Sequence, residues 1–309
     1  MKIRLGVIIV TFNRLNLLKE CICACLEQSY PFEEIYIINN ASTDGTKEYL
    51  NTLKESKINI YNSKENLGGA YGFYKGIKHF EDSSLDYILL IDDDAILDEN
   101  YNRDITKYIK PNDKKISGYS GTVFTDNKIQ YEHRRHLKKI TVFKEEFSKE
   151  LEYKKNYFDY ELSTFCGLFI PVKLIKKIGY PMKEFFIWFD DTEYSLRLLK
   201  YGKIRNINSA YLNHKTTLNT QSGHNWKSYY SIRNRIAILK KHFNEKELKK
   251  YICQLRFKIV LLKILSILKK SLYYKNVYEL YRDALQDGLA DNLGKNHKYI
   301  PSFNLNERK

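Results

Sequence analysis

Tyr87-Ile88-Leu89-Leu90-Ile91-Asp92-Asp93-Asp94 is the stretch of sequence that decides the fold. Its first five residues are apolar and polar residues follow at once, which predicts a short buried strand. The three aspartates then stand at the carboxyl end of that strand, where their charges repel one another unless a cation or protons neutralise them. Carboxylate oxygens grouped in this way suit Mg²⁺ or Mn²⁺, which usually bridge to phosphates. For an isolated run, a solvated acidic loop is the simpler interpretation.

Strands and helices alternate through the first hundred residues around this stretch. The apolar runs predict strands at residues 5–10, 35–38, 58–61 and 87–91, and helical spacing predicts helices at 16–27, 46–53 and 71–80. This alternation predicts an α/β fold with a mostly parallel central sheet flanked by helices. Ligands of such sheets bind beyond the carboxyl ends of the strands, so the loops there form the candidate site.

The remainder of the chain is less regular. We predict strands at residues 116–125 and 165–171, a helix at 172–178 and a basic hairpin at 128–143. After residue 217 the sequence becomes helical and rich in Lys, Tyr and Leu. A soft domain boundary is therefore predicted near Thr220.

The charge of the chain is unevenly distributed. The composition is that of a globular protein, with 43% hydrophobic and 29% charged residues and a net charge of +15. Residues 225–309 contain 19 Lys and Arg against 7 Asp and Glu, which accounts for 12 of those 15 charges. Such asymmetry indicates a polyanionic partner, either nucleic acid or the anionic face of a membrane. Solvated helix faces are an equally simple interpretation.

The cysteines and the apolar runs indicate the cellular compartment in which the protein is expected. The five cysteines follow neither a disulfide framework nor metal-binding spacing, which suits a reducing cytosol. The apolar run at the N-terminus is too short for a secretory signal. Lys258, Lys263 and Ser266 interrupt the longest apolar stretch, so it is not expected to span a bilayer. We expect a cytoplasmic protein, with peripheral contact to the inner face of the plasma membrane as one option.

The loops after the strands contain distinctive polar residues. The segment at residues 39–46 is a turn and a helix N-cap, so that Asp44 or Thr43 is expected to cap the next helix, although its amides could also read a base edge. Glycines at residues 68–72 open a helix and let backbone N–H groups approach a phosphate. A second acidic pair, Asp190-Asp191, opens another helix, where carboxylates stabilise the helix dipole without needing any further function.

Five of these segments occur in an order that resembles glycosyltransferase family 2, the inverting enzymes with the GT-A fold. They are residues 10–14 (VTFNR), 40–46 (NASTDGT), 66–70 (NLGGA), 92–94 (DDD) and 188–194 (WFDDTEY). The resemblance covers roughly residues 3–217 and is greatest to the bacterial galactofuranosyl- and rhamnosyltransferase branch. It implies an α/β GT-A nucleotide-diphospho-sugar transferase fold with a helical C-terminal extension.

The resemblance also implies a role for each motif. The residues implied to contact the nucleotide-sugar donor are Thr11, Asn13, Arg14, Asn40, Asp44, Gly69, Ala70 and Asp93. Those implied to hold Mn²⁺ or Mg²⁺ are Asp92, Asp94 and His214, and those implied to contact the acceptor are Trp188, Asp190 and Gly167. Asp191 matches the general base. A separate carboxylate suits that task, because one saturated by a metal ion cannot also accept a proton.

The implied organisation is a GT-A catalytic domain at residues 1–220, divided into a nucleotide-sugar-binding half (1–97) and an acceptor half (98–220), and a basic helical region at 221–309. The implied reaction transfers galactofuranose, rhamnose or another hexose from a nucleotide-diphosphate sugar to a hydroxyl of a saccharide acceptor in bacterial cell-surface polysaccharide synthesis. A lipid-linked acceptor would suit the basic amphipathic helix near residues 257–272, which could lie on anionic lipid or pack on protein. The sequence leaves the oligomeric state open, a homo-oligomer included.

Two alternative functions remain at this point. A sugar-1-phosphate nucleotidyltransferase uses a similar nucleotide fold, but it favours a glycine-rich basic loop that residues 10–14 do not supply. A basic nucleic-acid-binding protein explains the C-terminal charge and leaves both acidic clusters without a purpose. Because no nucleic-acid-binding motif appears, no nucleic-acid partner is predicted.

Overall fold

The computed structural model describes residues 2–110, 113–216 and 223–306. The strands within these ranges are β1 Leu5–Thr11, β2 Glu34–Asn39, β3 Ile58–Asn62, β4 Tyr87–Asp92, β5 Ala95–Leu97, β6 Ile116–Thr125, β7 Lys128–Ile129, β8 Arg134–Lys139, β9 Val142–Phe147, β10 Tyr157–Tyr160, β11 Leu162–Ser163, β12 Leu168–Pro171 and β13 Lys203–His214. The helices are α1 Leu15–Leu26, α2 Thr46–Thr52, α3 Gly69–His79, α4 Tyr101–Thr106, α5 Glu150–Tyr153, α6 Val172–Ile178, α7 Asp190–Leu198, α8 Lys227–His242, α9 Glu245–Leu268 and α10 Leu272–Leu289.

The first four long strands form the parallel half of the main sheet. Their order is β3-β2-β1-β4, and every adjacent pair is parallel. The predicted strands and helices of this half are confirmed to within two residues at their ends. Val10 is paired with Asp92, so the end of β1 lies beside the start of the aspartate cluster.

The second half of the main sheet mixes strand directions. From β4 the order continues β12-β6-β13-β10, and β12 runs antiparallel to both of its neighbours. β13 is parallel to β6 and antiparallel to β10. The prediction of a mostly parallel sheet with flanking helices is confirmed, while the antiparallel insertion of β12 was not predicted, because strand direction depends on long connections without a clear sequence pattern.

Helices cover both faces of the parallel half. Leu5, Val7 and Ile9 of β1 belong to one apolar cluster, which includes buried residues of α1. Ile8 and Val10 belong to a second cluster that includes buried residues of α3. Because successive side chains of a strand point to opposite faces, a strand covered on both sides must be apolar throughout, as β1 is.

The predicted basic hairpin has a more specific structure than its composition indicated. β8 and β9 form it together with β11 in a small sheet of order β11-β8-β9, and β7 pairs instead with β6. Arg134, at the start of β8, is fully buried, and its guanidinium donates to the backbone oxygens of Gly121 and Cys166. This arginine therefore satisfies buried carbonyl groups and does not contribute a solvent-exposed charge.

The chain divides into two compact units. The first consists of Met1–Leu137, Glu145–Lys183 and Asp191–Leu218, and the second of Lys138–Lys144, Glu184–Asp190 and Asn219–Lys309. The second unit contains α8, α9 and α10 with an apolar core of its own. The predicted boundary near Thr220 lies outside the described residues. Among the helices described, none has the length and apolar content required to cross a bilayer.

Candidate active site

Three strand ends of the first unit bring an acidic cluster together. Asp92 ends β4, Asp93 and Asp94 follow it, and His214 ends β13. Asp93 is buried and accepts hydrogen bonds from Thr11 Oγ1 at 2.7 Å and from the backbone N–H of Phe12 at 3.3 Å. The loop after β1 therefore fixes the orientation of Asp93.

Asp94 lies between two cationic groups. Arg14 Nη1 forms an ion pair with Asp94 and lies 3.2 Å from Asp93 Oδ1. On the other side, His214 Nε2 lies 3.3 Å from Asp94 Oδ1. That oxygen is nevertheless buried and has no hydrogen-bond partner of good geometry within the described part of the chain. An unsatisfied buried carboxylate oxygen is costly, and a bound cation would satisfy it.

Burial and mutual repulsion shift the pKa values of this cluster. Burial first, and then the charges of Asp94 and Asp93, raises the pKa of Asp92 to about 7. Burial also raises the pKa of Asp93 to about 6, although Arg14 and Thr11 oppose it. For Asp94 and His214 burial opposes ionisation, but their attraction outweighs it, so the pKa of Asp94 is lowered and that of His214 is raised. The cluster has more carboxylate charge than its neighbours neutralise.

These side chains fit a hard divalent ion. Two carboxylates and an imidazole are ligands that Mn²⁺ accepts, and carboxylates with water are ligands for Mg²⁺. The unsatisfied Asp94 oxygen and the raised pKa of Asp92 both indicate groups that a cation would stabilise. The sequence-predicted ligands Asp92, Asp94 and His214 are therefore adjacent, with chemistry suited to the ion.

Polar side chains of the loops after β1 and β2 form hydrogen bonds within the protein. Asn13 Oδ1 accepts from the Thr43 N–H at 2.7 Å, and Asn13 has a positive φ of 53°. Asn40 is buried, donates to Asn66 Oδ1 at 3.0 Å and accepts from the Leu67 N–H at 3.0 Å. The amide of Asn40 therefore joins the loops after β2 and β3.

Asp44 accepts hydrogen bonds from the starts of two helices, but the prediction that Asp44 or Thr43 caps α2 is wrong, because the N-cap of α2 is Gly45 and that of α1 is Arg14. Its Oδ2 accepts from the Leu15 N–H at 2.9 Å at the start of α1. Its Oδ1 accepts from the N–H and Oγ1 of Thr46 at 3.2 and 2.6 Å at the start of α2. Although burial opposes it, these hydrogen bonds lower the pKa of Asp44. One carboxylate thus orders the first turns of two helices beside the loop after β1.

The glycine-rich loop opens α3 as predicted. Gly68 has a φ of 84° and precedes the first helical residue, Gly69. A Cβ added at Gly69 would meet no atom within 4 Å, so its backbone faces open space. Ala70 is fully buried, and a Cβ at Gly72 would lie 2.5 Å from Val10 Cγ1. The N-terminus of α3, with open space beside Gly69, suits an anionic ligand, while Gly72 serves packing.

Asp191 occupies a separate environment in the first unit. Its carboxylate accepts hydrogen bonds from the N–H and Oγ1 of Thr192, and Arg135 donates to the same hydroxyl at 2.9 Å. Arg135 is also paired with Glu145. Burial raises the pKa of Asp191 above its usual value, against the opposing effects of Arg135 and Thr192. A raised pKa makes a carboxylate a stronger base.

The acceptor-side predictions Trp188 and Asp190 lie in the second unit. Trp188 is 43% exposed, and Phe186, Trp188 and Phe189 all have positive φ values, a conformation that costs energy for bulky residues. Asn234 of α8 stabilises this segment by donating to three of its carbonyl oxygens, those of Phe185, Ile187 and Trp188. Asp190 is buried at the start of α7.

Gly167 has a structural explanation of its own. It has a φ of 81°, and a Cβ there would lie 2.6 Å from the Tyr101 hydroxyl, which donates to the Gly167 carbonyl at 2.7 Å. Glycine is therefore required for the packing of Tyr101, whether or not an acceptor approaches.

Sequence reasoning missed two groups that the fold brings to this region. Arg135 and Thr192 surround Asp191, and His133 and Cys166 lie beside His214. The adjacency of Thr192 to the acidic pair could have indicated the first contact. Nothing in the spacing of His133, Cys166 and His214 indicated the second, because three separate segments supply them.

Comparison with known proteins gives one family. The model for "Glycosyl transferase family 2" matches residues 6–178, more than half of the chain. Poly-beta-1,6-N-acetyl-D-glucosamine synthase of Staphylococcus aureus is 29% identical over 122 residues, which are 39% of this chain and 29% of the synthase. The chain thus matches under a third of that relative's length.

A second relative is archaeal. The dolichyl N-acetyl-alpha-D-glucosaminyl phosphate 3-beta-D-2,3-diacetamido-2,3-dideoxy-beta-D-glucuronosyltransferase of Methanococcus voltae is 26% identical over 209 residues. The match covers 64% of this chain and 62% of that protein.

Solved structures share the fold at low identity. Staphylococcus aureus TarS 1–349 in complex with UDP has a TM-score of 0.57 at 14% identity, with 94% of this chain and 82% of that chain covered. The mannosyltransferase of Pyrobaculum calidifontis in complex with GDP-Man and Mn²⁺ has a TM-score of 0.54 at 13% identity, with 94% and 87% covered. At these identities the likeness establishes the fold alone.

Proposed function

The chain belongs to glycosyltransferase family 2, and from that premise we propose that it is a metal-dependent inverting transferase. It moves a hexose from a nucleotide-diphosphate sugar to a hydroxyl of a saccharide acceptor. Family membership favours this function over the nucleotidyltransferase and nucleic-acid-binding alternatives. The observation that carries the proposal is the convergence of Asp92, Asp94 and His214 at the carboxyl edge of the sheet, where the buried Asp94 Oδ1 lies 3.3 Å from His214 Nε2 without a hydrogen bond of good geometry.

Asp92, Asp94 and His214 are the proposed ligands of Mn²⁺ or Mg²⁺. A divalent ion bound there would neutralise the charge that develops on the leaving diphosphate. Its binding also removes the repulsion that raises the pKa of Asp92. Arg14 already forms ion pairs with Asp93 and Asp94, so it is poised to exchange a carboxylate for a donor phosphate when the ion is bound.

The donor is proposed to contact the loops that follow the parallel strands. The loop after β1 supplies Thr11, Asn13 and Arg14, the loop after β2 supplies Asn40 and Asp44, and Asp93 follows β4. Gly69 and Ala70 open α3, where the first turn, with open space beside Gly69, would offer backbone N–H groups and a positive dipole end to the diphosphate. Because Asn40 and Asp44 already have internal partners, we expect them to shape the base pocket through backbone position.

Asp191 is the proposed general base. It takes the proton from the acceptor hydroxyl while that oxygen forms a bond to the anomeric carbon, and the bond from that carbon to the diphosphate oxygen breaks on the opposite face. A single displacement of this kind inverts the anomeric configuration. The raised pKa of Asp191 supports the role, since the base strength of a carboxylate rises with its pKa. Trp188, Asp190 and Gly167 are the proposed acceptor contacts.

The relatives' names add to the proposed substrates. One relative synthesises a polymer of N-acetyl-D-glucosamine, and the other is named for an acceptor that is a dolichyl-phosphate-linked sugar. We therefore extend the proposed donors, galactofuranose and rhamnose, to N-acetylglucosamine, and we propose a lipid-linked acceptor in the synthesis of a cell-surface polysaccharide.

A lipid-linked acceptor implies contact with a membrane, and α9 offers a surface for it. Large apolar side chains at helical spacing are exposed along one face of α9, and we call them the apolar face of α9: Phe257, Val260, Leu261, Ile264, Ile267 and Leu268. Residues 248–278 contain eight Lys and Arg and no Asp or Glu. A groove of about 710 Å³ beside this face is lined by Lys263, Lys270 and Lys275 among others. This combination suits anionic lipid.

The test of the proposed transferase separates binding from chemistry. UDP-, dTDP- and GDP-sugars are titrated with Mn²⁺ or with a chelator, and transfer is then measured with a lipid-linked saccharide. Donor binding should need the ion, and Asp92→Asn should weaken it.

Asp191→Asn should retain donor binding and lose transfer by about 10²- to 10⁴-fold, the usual contribution of a general base. Asp82→Asn, at a carboxylate whose side chain is 82% exposed, is the control and should retain both activities. Full transfer by Asp191→Asn would contradict the assignment of the base, and donor binding that persists without any divalent ion would contradict the metal site.

A further inference from the structure

Three side chains that could ligate a soft metal ion lie together in the first unit. One ring nitrogen of His133, one ring nitrogen of His214 and Cys166 Sγ are all within 4.8 Å of one another. His133 ends a short 3₁₀ helix at Tyr131–His133, Cys166 precedes β12, and His214 ends β13. The fold thus assembles a set of ligands from three distant parts of the sequence.

The local contacts hold these ligands in place. Thr164 Oγ1 is 2.7 Å from His133 Nδ1, which orients that ring and leaves its Nε2 available to a ligand. The same hydroxyl oxygen accepts from the Cys166 N–H at 3.4 Å. The rings of His133 and His214 are nearly perpendicular, with centroids 5.1 Å apart. Hydrogen bonds to the remote nitrogen of a metal-binding histidine are a regular feature of metal sites.

The chemistry of this set differs from that of the aspartate cluster. A thiolate and two imidazoles prefer Zn²⁺ or Co²⁺, whereas carboxylates prefer Mn²⁺ or Mg²⁺. Three protein ligands leave one position of a tetrahedral ion for water or another group. Burial raises the pKa of the Cys166 thiol, and the guanidinium of Arg134, which donates to the Cys166 carbonyl at 3.0 Å, opposes that shift.

We propose that His133, Cys166 and His214 form a site for a thiophilic divalent ion, Zn²⁺ or Co²⁺, distinct from the hard-ion site at Asp92 and Asp94. Binding deprotonates the Cys166 thiol, its proton passes to solvent, and the sulfur donates an electron pair to the ion. The two sites share His214. A neutral imidazole that binds one ion through one nitrogen keeps its proton on the other, so His214 would have to lose that proton before it could also ligate a second ion.

Zn²⁺ is therefore an inhibitor of the transferase through this site. It withdraws His214 from the hard ion without displacing the donor directly. This consequence rests on the proposed function, because it assumes that His214 helps to hold Mn²⁺ or Mg²⁺, whereas binding of the soft ion does not depend on any activity.

Cobalt spectroscopy tests the site without measuring activity. Co²⁺ is titrated into the metal-free full-length chain, and a thiolate-to-cobalt charge-transfer band should reach its maximum at about one equivalent, since one thiolate and two imidazoles form a single site. Cys166→Ser should abolish the band and His133→Gln should weaken Co²⁺ binding at least about tenfold. Cys253→Ser, which changes an exposed cysteine on α9, is the matched control and should keep the band.

Circular dichroism of each variant checks that it is folded. If Cys166→Ser does not fold, the weaker Co²⁺ binding expected of His133→Gln tests the site instead. A band that persists in Cys166→Ser, or no thiolate band in the folded wild-type chain, would overturn the site.

A second measurement tests the shared histidine. With Mn²⁺ present, Zn²⁺ should inhibit transfer by the wild-type chain. The activity of Cys166→Ser is normalised to its own activity without Zn²⁺, and the Zn²⁺ concentration that inhibits this variant should be at least about tenfold higher than the concentration that inhibits the wild-type chain. A cobalt band without Zn²⁺ inhibition would overturn the sharing of His214. If no transfer activity is found at all, the cobalt band still decides the soft-metal site, so the two proposals fail separately.

Discussion

Neighbouring groups give the three aspartates of one cluster different chemistry. Asp93 is hydrogen-bonded to Thr11, and Asp94 is paired with Arg14 and His214. Around Asp92, the positive charges of His214 and Arg14 offset less of the effect of burial and of the neighbouring carboxylates. Its pKa of about 7 is the highest of the three. Asp92 is therefore the carboxylate that would gain most from the proposed divalent ion, and binding of that ion would compete with protons near neutral pH.

His136 is a further titrating residue, and it links three segments of the first unit. Its Nδ1 is 3.1 Å from Glu161 Oε2, and its Nε2 is 3.1 Å from Glu152 Oε1. The hydrogen bond with Glu161 raises the pKa of His136 above 6.5, against the effect of burial. Burial opposes ionisation of Glu161, but His136 and Lys203 outweigh it and lower its pKa below 4.5.

These shifts predict a pH window for stability. The contribution of His136 is complete below 6.5 and is lost as pH rises through its raised pKa, whereas that of Glu161 is complete above 4.5 and is lost as pH falls. His136→Gln should lower the free energy of unfolding by about 1–2 kcal/mol inside this window and by less above it. Urea denaturation as a function of pH measures this.

His297→Gln, at an exposed position, is the control and should leave that pH dependence unchanged. A loss in His136→Gln that is as large above the window as inside it would show that the imidazole acts by packing and not by charge.

The predictability of the site differs from residue to residue. The strand end placed Asp92 and Asp94 together, whereas His214 was predicted as their neighbour only from the family resemblance. Asp44 shows the limit, since the turn pattern predicts a cap of the next helix, whereas in the fold Gly45 is that N-cap and the Asp44 carboxylate accepts from backbone N–H groups at the starts of both α1 and α2. Cys166 and His133 could not be paired from sequence, because their proximity depends on how separate strands are arranged.

At the scale of elements, α3 packs on β1 through glycine. A Cβ at Gly72 would lie 2.5 Å from Val10 Cγ1, so the helix approaches the strand more closely than alanine allows. Gly72→Ala should lower the free energy of unfolding by about 1–3 kcal/mol, even though alanine favours a helix. Chemical denaturation measures the change.

Gly69→Ala in the same helix is the matched control, because its added Cβ meets nothing within 4 Å. We expect it to be neutral or to stabilise by up to about 1 kcal/mol. Combining Gly72→Ala with Val10→Ala should cost less than the sum of the two changes, since the clash is removed. Additive costs would contradict the clash.

The elements themselves were predicted unevenly. The bounds of β6 and α6 were predicted without error, although β6 contains several Ser, Thr and Gly residues and α6 contains three lysines. The order of the second half of the sheet was not predicted, since β12 pairs with β4 and β6 across long connections. Periodicity reports which residues are buried, but it does not report the partner of a strand.

At the scale of the whole molecule, positive charge is concentrated in the second unit. The apolar face of α9 and its surrounding lysines favour an anionic membrane over a second copy of this chain. Two copies meeting through this face would place two segments of eight positive charges, without a single acidic residue, against each other. An anionic lipid surface supplies the opposite charge and accepts the exposed apolar side chains.

The chain should therefore co-sediment with vesicles that contain phosphatidylglycerol, and binding should weaken with salt. Each lysine near an anionic surface contributes about 1 kcal/mol, so neutralising three lysines would weaken vesicle binding roughly 10²-fold. Replacing Lys263, Lys269 and Lys270 by Glu reverses the three charges and should weaken vesicle binding by at least that factor. Reversing Lys47, Lys54 and Lys64 of the first unit changes the net charge equally and should leave most of the vesicle binding intact.

Ile264→Asp should also weaken vesicle binding, because this residue lies on the apolar face of α9. Equal losses of vesicle binding in the two triple charge reversals would mean that net charge alone drives binding. Unchanged sedimentation of the Lys263, Lys269 and Lys270 reversal and of Ile264→Asp would exclude α9 as the membrane contact.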